Sequence, residues 1–241
     1  MGVRFCTRGW RVALAFVHGM AALASFDAAA NDRPYLATNS AAAEEDDDGV
    51  WSVESWATKI GPVRSINIAP EYAFNPTTSL QLELGRVRNR DAGESTSLAE
   101  LEFKHLFNHI ARDGYGWGVV ASLGAARESG ASWKRDEWGL KLPFSLALWE
   151  GEGLVHLNAG VTKPRDEKRA WGGSIALERE LFKRTTLFAE VAREGEATLL
   201  HAGVRHWIKR EKLALDFSLQ RVRGDGVRES GAVIGIGWYD L

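Results

Sequence analysis

From Val50 to the C-terminus, apolar and polar residues alternate with period two, and no helical period replaces that pattern. Ser65 to Phe74 puts Ile66, Ile68, Tyr72 and Phe74 on one face, with Ser65, Asn67 and Glu71 on the other. Ser79 to Val87 sets Leu80, Leu82 and Leu84 against Gln81 and Glu83, and Ser97 to Phe107 sets Leu101, Phe103 and Phe107 against Glu100, Glu102 and Lys104. Trp117, Val119, Ala121 and Leu123 then oppose Gly116, Gly118, Ser122 and Gly124. Trp138 to Leu148 carries its Trp, Leu and Phe opposite Lys141 and Ser145, with Pro143 predicting a bulge because it removes a ladder donor. Leu154 to Thr162, Trp171 to Leu181, Thr186 to Arg193, Leu199 to Ile208 and Leu213 to Val222 alternate in the same way. Gly231 to Leu241 (GAVIGIGWYDL) completes the series. These segments are long for soluble strands, whose common length is about 5 or 6 residues.

The connections divide into two kinds. Asn75 to Thr78, Glu150 to Gly153, Phe182 to Thr185 and Lys209 to Lys212 read as tight turns, whereas Arg88 to Thr96, Glu128 to Asp136, Lys163 to Lys168 and Arg223 to Arg228 read as longer charged loops. Asn108 to Gly114 and Glu194 to Ala197 break the alternation. A wall whose termini lie at one end needs an even number of strands. Trp51 to Ile60, with Trp51 and Val53 opposite Glu54 and Thr58, supplies the member that makes about twelve.

Alternation leaves open whether the apolar face meets lipid or the core of a soluble sandwich. Three features favour an all-β, up-and-down transmembrane barrel. The polar face mixes Glu and Lys with Gly, Ala and Ser, which suits a crowded lumen. Aromatic residues gather at strand ends, with Tyr72, Phe74, Phe107, Tyr115, Trp117, Trp149, Trp207 and Trp238 at one and Trp138 and Trp171 at the other, as interfacial girdles do. The third feature is the N-terminus. Arg4, Arg8 and Arg11 precede an apolar run from Val12 to Phe26 that leads into Ala28, Ala29 and Ala30. This is the pattern of a cleavable signal peptide over residues 1–30, and the run falls short of the ~20 residues a transmembrane helix needs.

The 241-residue chain has a net charge of -2, which offers no basic excess for nucleic acid. Its single cysteine, Cys6, lies inside the signal, so residues 31–241 hold no disulfide or thiolate site. Residues 31–49 are Ala-rich and then acidic (Glu44, Glu45, Asp46, Asp47, Asp48), which predicts a disordered leader ahead of a barrel over residues 50–241.

Two resemblances refine this. The last strand, flush with the C-terminus, resembles the closing strand of Gram-negative outer-membrane barrels, although Leu241 stands where an aromatic is usual and Tyr239 lies two before it. ELEFKHLF (Glu100 to Phe107), preceded by WSVESW, resembles the small outer-membrane proteins grouped as the MetA-pathway of phenol degradation family, which are transporters. The resemblance implies a porin-like transport barrel in the cell outer membrane. Its expected partners are outer-membrane lipids, the barrel-assembly machinery and a small polar or weakly charged solute.

The inward face then carries the candidate chemistry: Glu71, Glu83, Glu100, Glu102, Lys104, Lys141, His156, Glu178, Glu190, His201, Arg205 and Asp216. Counting across turns sets Glu83 opposite Glu100 or Glu102, His156 near Glu178, Glu190 facing His201 and Arg205 facing Asp216. Such a set is either an ion-pair network filling a narrow barrel or a charged constriction that selects solutes. Each His and carboxylate pair lacks a third ligand at metal spacing, so neither metal nor cofactor is expected. GxSxG, HExxH, Walker and dinucleotide signatures are absent from the sequence, and His105 and His206 fall on the lipid face without a Ser and acid partner set. A non-enzymatic barrel is the expectation. The alternative to a channel is a closed barrel with a structural or surface-binding role.

Overall fold

A computed structural model describes residues 35–149, 152–224 and 226–241. The expected signal peptide, residues 1–30, lies outside them. Twelve antiparallel strands form one closed barrel in sequence order: β1 (Trp51–Ile60), β2 (Val63–Asn75), β3 (Thr78–Asn89), β4 (Glu94–Leu106), β5 (Tyr115–Glu128), β6 (Lys134–Leu148), β7 (Gly153–Pro164), β8 (Ala170–Phe182), β9 (Thr185–Glu194), β10 (Ala197–Lys209), β11 (Leu213–Gly224) and β12 (Val227–Trp238). A single helical turn, α1 (Ile110–Asp113), lies between β4 and β5. β12 pairs with β1 from Val53↔Trp238 to Ile60↔Gly231, so the sheet has no free edge. The amide of Leu241 extends the closure by donating to the Trp51 carbonyl at 2.9 Å.

The alternation resolves into an apolar outer wall and a polar lumen. Ile66, Ile175, Leu219 and Ile234 are each about 60% exposed on the outside, with Leu101, Leu142, Val191 and Phe217 beside them. A continuous apolar belt of this kind is stable facing lipid and costly facing water. The start of β1 and the end of β12 lie at one end, the terminal rim, together with the β2–β3, β4–β5, β6–β7, β8–β9 and β10–β11 connections. The β1–β2, β3–β4, β5–β6, β7–β8, β9–β10 and β11–β12 connections form the far rim.

Four sequence expectations change. The charged loops at the far rim are mostly strand: β3 and β4 pair out to Asn89↔Glu94, and β11 and β12 out to Gly224↔Val227. Polar residues there keep their ladder hydrogen bonds, so turn-like composition overstated the loops. Pro143 makes no bulge. It stays in register with Asn158 on β7, and on its other side the ladder to β5 lapses between Trp117↔Phe144 and Val120↔Lys141 without a shift. The bulge lies instead where Gly124↔Glu137 is followed by Ala125↔Arg135. Trp207 shares the inward parity of Arg205 and packs on Tyr239, with ring centroids 5.4 Å apart, so it is no part of the outer girdle. Finally, the expected disordered leader, residues 31–49, is ordered where it is described: residues 35–46 lie inside the barrel, Asp47 and Asp48 are exposed, and residues 31–34 lie outside the described residues.

Candidate functional site

The lumen is the site, and its occupant is the chain's own leader. The leader enters at the terminal rim, where Gly49 N donates to Ala73 O at 3.1 Å and Asp46 N to Pro76 O at 3.2 Å. Ala43 N then donates to Ser145 Oγ on β6 (2.7 Å), and Asn158 on β7 clasps Ala41 from both sides, accepting its N–H at 3.1 Å and donating to its carbonyl at 3.0 Å. At the deepest point Lys141 donates to Asn39 O (2.9 Å), Ser40 Oγ meets Ser174 Oγ (2.8 Å), and Gln220 donates to Ala37 O (3.2 Å). The chain reverses at Ala37, which has φ 59°, with Thr38 N and Thr38 Oγ1 both donating to Tyr35 O. It returns toward the terminal rim, where Leu36 N donates to Asp216 Oδ2 (3.1 Å) and the Tyr35 ring stacks on Phe188 with centroids 3.6 Å apart.

A segment without secondary structure survives burial only if its backbone groups find partners. Here side chains of the wall supply them. The main anchor is Glu190, which accepts from Asn39 N at 2.9 Å, from Ser40 N and from Ser40 Oγ at 2.7 Å. Hydrogen bonds to an ionised acceptor are the stronger kind. Apolar contact adds to them: Leu36 and Ala37 pack with Trp56, Ala69 and Val233, and Ala41 with Val120. Glycines give the leader clearance. A Cβ on Gly116 would collide with the Ala43 carbonyl, and one on Gly235 with Leu36.

All twelve inward candidates line this lumen. Lys104 donates to Asp46 at 2.8 Å, and Lys141, Glu190 and Asp216 also hold the leader. Glu83 lies directly across from Glu100, with Glu102 across from Gln81 and Glu71 also buried. His201 faces Glu190 in register, with Nδ1 and Oε2 3.6 Å apart, while its Nε2 meets Ser218 Oγ at 2.7 Å. His156 and Glu178 meet diagonally, Nε2 to Oε1 being 3.6 Å. Arg205 chelates Asp216 through Nε at 2.9 Å and an Nη at 2.8 Å, and lies 3.7 Å from Glu54. The rings of Tyr35, Tyr239 and Trp207 surround its guanidinium at 5.2, 5.4 and 5.6 Å. Burial pushes the Tyr239 hydroxyl well above its ordinary pKa, so it remains a donor and bonds Glu54 Oε1 at 2.6 Å.

Sequence reasoning missed four inward groups that bind the leader: Ser145, Asn158, Ser174 and Gln220. Their parity placed them inside, and Ser145 and Gln220 also bond the wall histidines His156 and His201. Cavities of about 10 and 20 Å³ remain beside it, the second lined by Asn39, Lys141, Asn158, Ser174 and Glu194. Each has room for about one water. At the terminal rim the lumen widens into a mouth of about 470 Å³ bordered by Tyr35, Glu44, Glu178, Arg205 and Arg210. Burial, and next to it the Glu178 charge, pushes the Glu44 carboxyl up.

No protein-family model matches the chain, and no curated protein matches it in sequence. Solved structures do match its shape. The KdgM porin in complex with disordered oligogalacturonate superposes with a TM-score of 0.64 at 10% identity, over 79% of this chain and 99% of that one. The COG4313 outer membrane channel from Pseudomonas putida F1 gives 0.59 at 10% identity over 81% and 97%, and the NanC porin 0.57 at 8% over 79% and 100%. At such identities the likeness is one of fold: the chain has the twelve-stranded barrel architecture of outer-membrane porins and channels.

Proposed function

We propose that this barrel is an outer-membrane channel for small polar or weakly charged solutes, closed from the terminal side by its own leader. The observation that carries the reading is that buried wall side chains bind the leader's backbone. A segment held by Glu190, Asn158, Ser145 and Lys141 through hydrogen bonds is one that can be released without unfolding the wall, whose own ladder is complete around the barrel. The polar lumen left behind, with Glu83, Glu100 and Glu102 on one wall, favours polar or cationic solutes over anions. The resemblance of Glu100 to Phe107 to the MetA-pathway family agrees with transport and does not name a solute.

Planar-bilayer recording tests the proposal. The chain beginning at Asn31 is expected to conduct rarely, and a chain beginning at Gly49 to conduct steadily, with heat-modifiable gel migration reporting that each is a folded barrel. Gly116→Ala provides a second route, because the new methyl meets the Ala43 backbone rather than the wall. If neither variant conducts, the filled lumen is a structural core, and the barrel acts as a scaffold or surface-binding protein instead.

The reading is non-enzymatic. The outward-facing His105 and His206 bond Thr78 and Thr185 at 3.0 Å rather than an acid.

Orientation follows from chain entry: strands that cross outward and back in pairs leave both termini on the periplasmic side. A cysteine replacing Asp91 or Ser129, both exposed at the far rim, should react with an impermeant maleimide on intact cells, whereas one replacing Lys183 should not. Reversed labelling would place the leader's mouth outside the cell.

A further inference from the structure

We propose that Glu44, His156 and Glu178 form a divalent transition-metal site that pins the leader to the barrel wall. One ligand atom from each lies within 4.8 Å of the other two. Two come from adjacent strands, β7 and β8, and the third from the leader, so the set exists only when the leader is docked. The inference therefore rests on the leader being a docked segment, and it adds what holds that segment in place.

His156 carries the argument. It is fully buried, and its Nε2 makes no hydrogen bond, the nearest acid oxygen being Glu178 Oε1 at 3.6 Å. A buried imidazole nitrogen without a hydrogen-bond partner is destabilising unless something binds there. The other ring nitrogen is fixed from behind: Nδ1 lies 2.8 Å from Ser145 Oγ. Ser145 Oγ also accepts the Ala43 amide, one residue before Glu44. A ring held through Nδ1 with Nε2 presented to two carboxylates is the arrangement of a metal-ligating histidine, whose second nitrogen donates to an outer partner. With a metal on Nε2, Nδ1–H donates to Ser145, whose oxygen has lone pairs for both donors.

Glu44 is positioned by its neighbours in the leader, with Ala43 N on Ser145 and the Glu44 carbonyl accepting from Lys104 Nζ at 3.4 Å. Glu178 is 15% exposed and faces the mouth, where acids such as Glu45, Asp47, Glu152, Glu180 and Glu211 outnumber Arg179, Arg205 and Arg210 and leave a negative potential on the path a cation takes inward. Zinc binds imidazole nitrogen at about 2.0–2.1 Å and carboxylate oxygen at about 2.0–2.2 Å, which sets tetrahedral ligand atoms about 3.3–3.5 Å apart. Rotation of two carboxylates closes the gap, and a water from the mouth completes the fourth position. One nitrogen and two carboxylates suit zinc and its neighbours. Calcium, which takes about 6–8 oxygens, is a poor fit.

The test uses the untagged chain from Asn31, folded in detergent, stripped with chelator and titrated with zinc chloride by calorimetry. The expected result is one equivalent of zinc per barrel, with an absorption-edge spectrum showing one imidazole among nitrogen and oxygen ligands. Glu44→Gln, which leaves the wall intact, should weaken binding about tenfold or more, and so should His156→Gln in a barrel that still shows heat-modifiable migration. Calcium at the same concentration should not compete. Absence of stoichiometric binding, or binding unaltered by Glu44→Gln, overturns the site. Conduction is read separately. If the chain from Gly49 conducts no better than the full one, the channel reading falls, while zinc binding that depends on Glu44 still establishes the site.

Discussion

Replacing Glu190 by alanine should release the leader while leaving the barrel closed around it. The carboxylate is the shared acceptor for Asn39 N, Ser40 N and Ser40 Oγ at the deepest point of the leader. Ser174 Oγ meets the Ser40 hydroxyl as well, so Glu190 is the acceptor that the two backbone amides share. Hydrogen bonds to a charged group contribute about 1.5–3 kcal/mol each, less when they share one acceptor. Taking the docked state as about 3 kcal/mol weaker in Glu190→Ala, the undocked population rises by about 100-fold. Two measurements should report it together. Amide hydrogen exchange at residues 36–46 should approach that of an open segment while exchange in β9 and β10 is little changed, and bilayer recordings should show frequent openings. If the leader's amides keep their protection, Glu190 is not the anchor.

The barrel was legible in the sequence because a wall with lipid on one side and side chains on the other imposes period two along most of each strand. Parity also carried the register. Once a hairpin turn is located, inward residues pair by counting, and Glu83 with Glu100, Glu190 with His201 and Arg205 with Asp216 all stand opposite in the structure. The leader was not legible for the converse reason. Its stretch from Tyr35 to Asp48 has no periodicity and little to bury, and composition of that kind reads as disorder. What orders it is the wall, whose inward Glu190, Ser145, Asn158 and Lys141 bond its backbone. Gly116, where a Cβ would meet only the leader's Ala43, was the nearest trace of it in the sequence. The metal set escaped for the same reason: its third member lies on the segment taken to be outside.

The largest stability effect should come from Asp216→Ala. In the folded barrel Asp216 accepts two hydrogen bonds from Arg205 and one from Leu36 N, so its loss leaves a buried guanidinium and detaches one end of the leader. Breaking a buried pair from one side costs about 3–5 kcal/mol. Here Glu54, 3.7 Å from Arg205, and the surrounding rings of Tyr35, Tyr239 and Trp207 offset part of that, so about 3 kcal/mol is expected. Arg205→Ala is nearly as damaging, because Asp216 and Glu54 both then lose the buried guanidinium that they face. The double change removes both charges at once and should fall short of the sum of the single changes by about 1–3 kcal/mol. Equilibrium unfolding in detergent or lipid, followed by tryptophan fluorescence and gel migration, measures all four proteins. Strict additivity of the two single changes would mean that Arg205 and Asp216 do not act as a pair, and the packing of the terminal half of the lumen would have to be redrawn.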